Sequence, residues 1–329
     1  MRRFKKIKYS MMIISMASLA MAGCGTSLTI TQAAQVSSAA SAVNVEDMVQ
    51  SEAVYSSADE QTQVLSGEDG AASCLSWLES WDGTTSFTGI GGYSPSSEIS
   101  SEVSSMIDAI ADDGYDVGFL VLDIRTGAGA AYNTNEVFYS ASTSKAAYVV
   151  SLASYSPDDA FENESKILDV TENSSNESYS YLVHNFGLDY YKEWCEKAGI
   201  DSSVTSGGYA DYSAEDLALL WLLNYQYFIS GDSGETVASW FENPATSAIH
   251  SVLGTEYTTQ SKAGWCYSSD GTDDYTSTND AGIVYAGDYP YICVIMTNYP
   301  SDVNYLKDYI PVLNDIHEDL ISQVTQTQT

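Results

Sequence analysis

The apolar runs of this chain come in an order that leaves few folds open. A helical repeat at 97–113 (Ile99, Val103, Met106, Ile107, Ile110) is followed by a strand-like run, VGFLVLDI at 117–124, a turn at RTG, and a second strand, AGAAYNTN. A block of helical stretches then occupies 142–155, 177–187, 189–198, 213–229, 234–242 and 247–253. Strands return near 259–268, 278–286 and 290–298, and an amphipathic helix from Tyr305 to Val324, expected to be interrupted at Pro311, ends the pattern. Strands and helices kept in separate runs predict an α+β fold. The expected architecture is a five-stranded antiparallel sheet flanked by N- and C-terminal helices, with a helical subdomain between its two groups of strands. That subdomain is expected to be reduced.

Composition limits the partners. With 45 acidic and 12 basic residues the formal net charge is −33. Nucleic acid is excluded as a partner, because binding its phosphates requires clustered cations. A polybasic membrane-surface protein is excluded for the same reason. The 44% of apolar residues nevertheless suffices for a sizeable core in 329 residues.

Five of the basic residues (Arg2, Arg3, Lys5, Lys6, Lys8) precede an apolar, small-residue run at 9–23 that is too short to span a bilayer comfortably. Residues 1–23 therefore read as a signal peptide. Met21-Ala22-Gly23-Cys24 resembles a bacterial lipobox, which implies lipidation of Cys24 and a membrane partner through that anchor. Ala20-Met21-Ala22 also suits ordinary secretory cleavage. Residues 24–95 are expected to form an acidic, low-complexity tether, with 74–95 able to pack on the domain in a way the sequence does not specify. The domain proper is expected over 96–325. Cys74, Cys195, Cys266 and Cys293 form an even set, readable as disulfides or as buried thiols. No C-x-x-C or paired-histidine spacing occurs, so neither a metal nor a cofactor is expected.

Beyond the signal, the basic residues are Arg125, Lys145, Lys166, Lys192, Lys197, Lys262 and Lys307. Lys145 follows Ser142 in a Ser-x-x-Lys at the start of a predicted helix, where i and i+3 share a face. A partly desolvated amine there can take the serine proton, and the helix start offers N–H groups to an oxyanion. Ser174-Ser175-Asn176 follows in the helical block, and Lys262-Ala263-Gly264 opens a predicted strand.

This ordered set, Ser-x-x-Lys, Ser-x-Asn and Lys-x-Gly, resembles the active-site serine superfamily of β-lactamases and penicillin-binding DD-peptidases. The flanking text, VGFLVLDIRTGAGAAYNTNEVFYSASTSKAAYVV and SKAGWCYSS…NDAGIVYAGDYPYICVIMT, is similar to the class A entry strands and last three strands. The resemblance implies Ser142 as acylated nucleophile, Lys145 as its base, Ser174 as proton relay to the leaving group and Lys262 as the source of positive potential. It implies substrate contacts from Asn176, Gly264 and Trp265, with Ser142 and Trp265 N–H groups as oxyanion hole. It also implies a β-lactam, peptidoglycan-peptide or related acyl substrate, while the signal and lipobox imply an exported location, lipid-anchored on the outer face of the cytoplasmic membrane or in the cell envelope, or secreted. A non-catalytic binder of wall peptide or protein is the alternative.

Three departures stand against the class A pattern. The loop at 200–214 has no Glu-x-x-Leu-Asn, leaving Asp211 as a weak substitute and Glu215 as a helix-start charge. Ala263 replaces the usual hydroxyl residue, and no Arg follows Lys262. His184, His250 and His317 lack the context of a Ser-His-Asp triad. Ser277-Thr278-Asn279 also fits Ser-x-Asn but stands after Lys262, out of order. The acidic stretch at 270–280 reads as a solvated hairpin rather than a calcium loop.

Overall fold

A computed structural model describes residues 64–205, 207–267 and 275–327. The signal segment, Cys24, the tether to residue 63 and residues 268–274, the first part of the acidic hairpin, lie outside the described residues. Helix α1 (Gly67–Leu78) comes first, followed by strand β1 (Thr88–Ile90), helix α2 (Ser97–Asp112), and strands β2 (Val117–Asp123), β3 (Gly129–Tyr132) and β4 (Val137–Tyr139). The helical block is α3 (Ser144–Tyr155), α4 (Pro157–Glu162), α5 (Glu164–Asn173), α6 (Asn176–Phe186) and α7 (Asp189–Lys197). Then come β5 (Asp211–Ser213), α8 (Ala214–Phe228), α9 (Asp232–Ser239) and α10 (Ala248–Leu253). Strands β6 (Thr258–Cys266), β7 (Ser277–Ala286) and β8 (Tyr289–Thr297) precede the last helix, α11 (Ile310–Thr327).

The main sheet runs β1-β3-β2-β8-β7-β6, antiparallel throughout. The five expected strands are all present, and β1 adds a sixth by pairing Thr88–Ile90 with β3. Strands β4 and β5 form a separate two-stranded ribbon.

Alternation across the pleat divides the core in two. Leu120, Leu122, Ile292, Val294 and Met296 face α1, α3 and α8. Phe119, Val121, Cys293 and Ile295 face α2 and α11. Helix α8 is apolar nearly all round because it is buried nearly all round, and a Ser213–Asp216 capping box starts it. Helix α2 needs only one apolar stripe, Ile99, Val103, Met106 and Ile110, because its other face meets solvent.

Three sequence expectations change. The folded part starts before residue 96: α1 buries Ala71, Cys74, Leu75 and Leu78, and Arg125 Nε donates to Leu65 O at 2.8 Å. Its apolar stripe is made largely of small residues, so it hides in Ser- and Ala-rich surroundings. Pro311 does not interrupt the last helix. It occupies the first turn of α11, where no N–H is required, after a 3₁₀ turn at Val303–Asp308. Helices α4 and α5 fill the stretch between Tyr155 and Ser174, α4 entering through Pro157 in its first turn.

Candidate active site

Ser142 lies in a 3₁₀ turn, Ala141–Thr143, that runs directly into α3. Ala141 holds a left-handed φ of 48° just before it, a conformation that an L-residue keeps only when its surroundings enforce it. The enforcement is visible: Thr143 N and Oγ1 both donate to Ser140 O, and Ser140 N donates to Ala210 O. Lys145 is the second residue of α3 and is fully buried.

Ser174 closes α5 in the left-handed region, φ 56°, and Ser175 caps α6, accepting from Ser178 N. This tight junction turns Ser174 and Asn176 toward Lys145. Lys145 Nζ donates to Ser174 O at 2.8 Å and to Asn176 Oδ1 at 2.7 Å. From the sheet, Lys262 Nζ donates to Ser174 Oγ at 2.9 Å and to Ala263 O at 2.7 Å. The structure thus brings Lys145, Ser174, Asn176 and Lys262 into one hydrogen-bonded cluster beside the turn that carries half-buried Ser142.

Burial governs the electrostatics. It lowers the Lys145 amine to about 8, against a rise from the nearby Asp169 charge. Burial also lowers Lys262, to about 7, with repulsion from Lys145 adding to the effect and Asp280 opposing it. Asp280 lies on the opposite face of the sheet, cross-strand from Ala263. It accepts from Ser247 Oγ and Ile249 N, and burial raises its carboxyl to about 6. The two close amines resist double protonation, so the pair gives up a proton well below the ordinary lysine range.

Strand β6 lies against the serine turn. A β-carbon on Gly264 would meet Ser140 O and Thr143 N at 2.5 Å and Ser142 N at 2.6 Å. Glycine is therefore required for the close approach of two backbones. Ser261 N donates to Phe241 O, outside the sheet, so the two-residue repeat aims the N–H groups of Ala263 and Trp265 at the same open edge. Trp265 and Ser142 can thus offer N–H groups to one oxygen. The half-buried Trp265 side chain packs against the α2/α11 core.

Other candidates are placed elsewhere. Ser277-Thr278-Asn279 is buried in β7, with Asn279 Nδ2 donating to Tyr139 O. Asp211 is exposed on β5. His184 is exposed at the end of α6, His250 bonds Thr259, and His317 pairs with Asp123. Cys74, Cys195, Cys266 and Cys293 are all free thiols. Two contributors were not singled out from sequence. Asp169 is held below the usual carboxylate range by hydrogen bonds from Ser178 and Ser175 and acts on Lys145 through its charge, and nothing in its local sequence marks it. Tyr209 donates to Asn176 Oδ1 at 3.2 Å, and its only signal was its place in the short loop lacking the expected acid.

A family model described as the beta-lactamase enzyme family matches residues 99–173 and 167–327, and the chain belongs to that family. No curated protein matches it. Among solved structures it is similar to PBP-A, at 14% identity over 71% of this chain and 98% of that one, with a TM-score of 0.53. It is likewise similar to a class A β-lactamase representative from Bacteroides cellulosilyticus, at 17% identity over 68% and 99% of the two chains, TM-score 0.52. The carbapenemase VCC-1 from Vibrio cholerae matches at 17% identity over 65% and 99%, TM-score 0.50. At these identities the likeness is one of fold.

Proposed function

We propose that the chain is an exported serine hydrolase that works through an acyl-enzyme on Ser142. The observation that carries this reading is the convergence of two buried amines, Lys145 and Lys262, on Ser174. A chain with so few cations has no packing reason to bury two of them together, since each burial is costly.

In this reading Ser142 Oγ attacks the acyl carbon as neutral Lys145 accepts its proton. The N–H groups of Ser142 and Trp265 hold the oxyanion. The carbon–nitrogen bond breaks, and the leaving amine takes a proton relayed through Ser174 under the positive potential of Lys262. Asn176 holds Lys145 and meets the substrate amide, while Gly264 keeps the edge of β6 open to it. The acyl substrate is a β-lactam, a peptidoglycan peptide or a related amide. Ala263 and the absence of an Arg after Lys262 favour weak recognition of a substrate carboxylate. The N-terminal signal and Cys24 support export and lipid anchoring at the membrane's outer face.

The test is incubation of the soluble domain with a fluorescent penicillin or an activated acyl probe. A covalent label that Ser142→Ala abolishes is expected. Folded protein that takes no label from either probe sinks the reading, and favours a non-catalytic binder of wall peptide or protein, which Ala263 and the missing loop acid also motivate.

A further inference from the structure

The loop between α7 and β5 is seated on the site through the two residues flanking Tyr209. Tyr179 Oη donates to Gly208 O at 2.5 Å, and Ser140 N donates to Ala210 O at 3.0 Å. Gly208 has φ 78°, which lets the chain turn there. Between these anchors Tyr209 is half-buried, its ring packed 5.4 Å from that of Tyr179 and 6.4 Å from that of Tyr139. Its hydroxyl donates to Asn176 Oδ1, the same oxygen that accepts from Lys145 Nζ. The Tyr209 ring centroid is 6.0 Å from that amine. Contacts therefore run in a chain from Lys262 through Ser174, Lys145 and Asn176 to Tyr209, with Lys262 and Tyr209 at opposite ends.

We propose that Tyr209 is a positioning residue that closes the Asn176 side of the Lys145 amine to water and so makes the Ser142 acyl-enzyme slow to hydrolyse. This rests on the acyl-enzyme reading above. Hydrolysis requires a water oxygen to bond the acyl carbon while the ester bond to Ser142 Oγ breaks. One water proton must return to that Oγ, and a base must accept it first. The aromatic ring of Tyr209, its centroid 6.0 Å from Lys145 Nζ on the Asn176 side, limits the room for such a water there. Burial holds its phenol above the ordinary range, so it stays protonated and supplies no phenolate base. The amine face toward Ser174 and Lys262 stays available to a leaving amine, or to an incoming one by the reverse route. Such an enzyme passes its acyl group to an amine more readily than to water.

The experiment follows label uptake and label loss with a fluorescent penicillin in wild type, Y209F and Y209A, with folding checked by melting. Y209A is expected to lose label about tenfold faster than wild type, a barrier change of about 1.4 kcal/mol. Y209F, which keeps the ring, is expected to lose it at the wild-type rate but to acylate more slowly, because Asn176 is held less firmly. The pH midpoint of acylation should move up in Y209A, since Lys145, faced otherwise by Lys262, Asp169 and Tyr179, becomes better hydrated. Y209F should leave it unmoved. If Y209A fails to fold, Y209Q is read in the same way. Labelled protein whose adduct lifetime is unchanged in the ring-less variant overturns the role of Tyr209 alone. Absence of label in folded wild type overturns the acyl-enzyme reading and this inference with it.

Discussion

Gly264 and Ser142 approach so closely that a β-carbon on the glycine would stand 2.6 Å from the serine's backbone nitrogen. The atoms it would strike are backbone, which cannot swing aside as the end of a side chain would. Gly264→Ala must push β6 away from the turn. It is expected to cost about 1–3 kcal/mol of stability. Acylation should fall about 100-fold or more, because two N–H groups aimed at one oxygen lose their alignment. Melting curves and probe-labelling rates on the same preparation check both.

Lys145 sits at about 8 and Lys262 at about 7, both lowered chiefly by burial. A neutral base is therefore available well below the ordinary lysine range. Acylation of Ser142 is expected to rise with pH through a midpoint near 8 and to level off above about 9, measured by stopped-flow labelling. The stability effect has the same sign. Between the folded value and about 10.4 for an unfolded lysine, the unfolded chain holds more protons, so stability from Lys145 rises with pH through that window. Below it the cost of burial is complete.

Lys262→Met exchanges a fully buried amine for an apolar chain of similar reach. It is expected to raise stability by about 1 kcal/mol, or about 2–4 °C in Tm, while abolishing acylation. Calorimetry and labelling together expose that opposition. A loss of both would mean that the amine supports the fold.

His317 and Asp123 form a buried contact, Nε2 to Oδ2 at 3.1 Å, with the imidazole stacked on Tyr291. Asp123 also accepts from Arg125 N, Thr126 N and Thr126 Oγ1. His317→Ala leaves one carboxylate oxygen short of its partner and opens a void, for an expected loss of about 3 kcal/mol. Because the pair joins α11 to the end of β2, on no side chain of the Ser142 site, labelling per folded molecule should be unchanged.

The four described cysteines carry free thiols, and burial raises Cys74 and Cys195 to about 12 and Cys293 higher still. A reductant is expected to leave the melting temperature unchanged. A thiol reagent should modify half-buried Cys266 first, which mass spectrometry resolves.

The order of elements and the three motifs were legible because each rests on a local signal. Continuous apolar runs mark β2 and β8, and the Ser142–Lys145 spacing needs only one helical turn. Closure of the motifs onto one another was legible only through resemblance, since Lys262 and Ser174 lie 88 positions apart and meet across the sheet edge. What escaped depends on long-range packing. Helix α1 gains its apolar partners from α8 and the end of β2, and β1 is three residues long, stabilised by pairing with β3 rather than by its own propensity. The placement of the Trp265 ring was open in the sequence for a related reason: the pleat sends the ring to one face while the N–H leaves by the edge. Tyr209 escaped because a tyrosine in a glycine-rich loop carries no chemical signature until its neighbours are known.

The free edge of β6 has a metric consequence. Its outward N–H groups at Ala263 and Trp265 stand about 6.8 Å apart, twice the rise of an antiparallel strand, the next one along, at Ser261, being taken by Phe241 O. An extended ligand laid beside them is gauged by stride: a carbonyl either falls in step with Trp265 and Ser142 or misses both by half a period. Selection of this kind reads chain length and straightness rather than charge. It suits an edge where Ala263 follows Lys262 and no arginine stands beyond it.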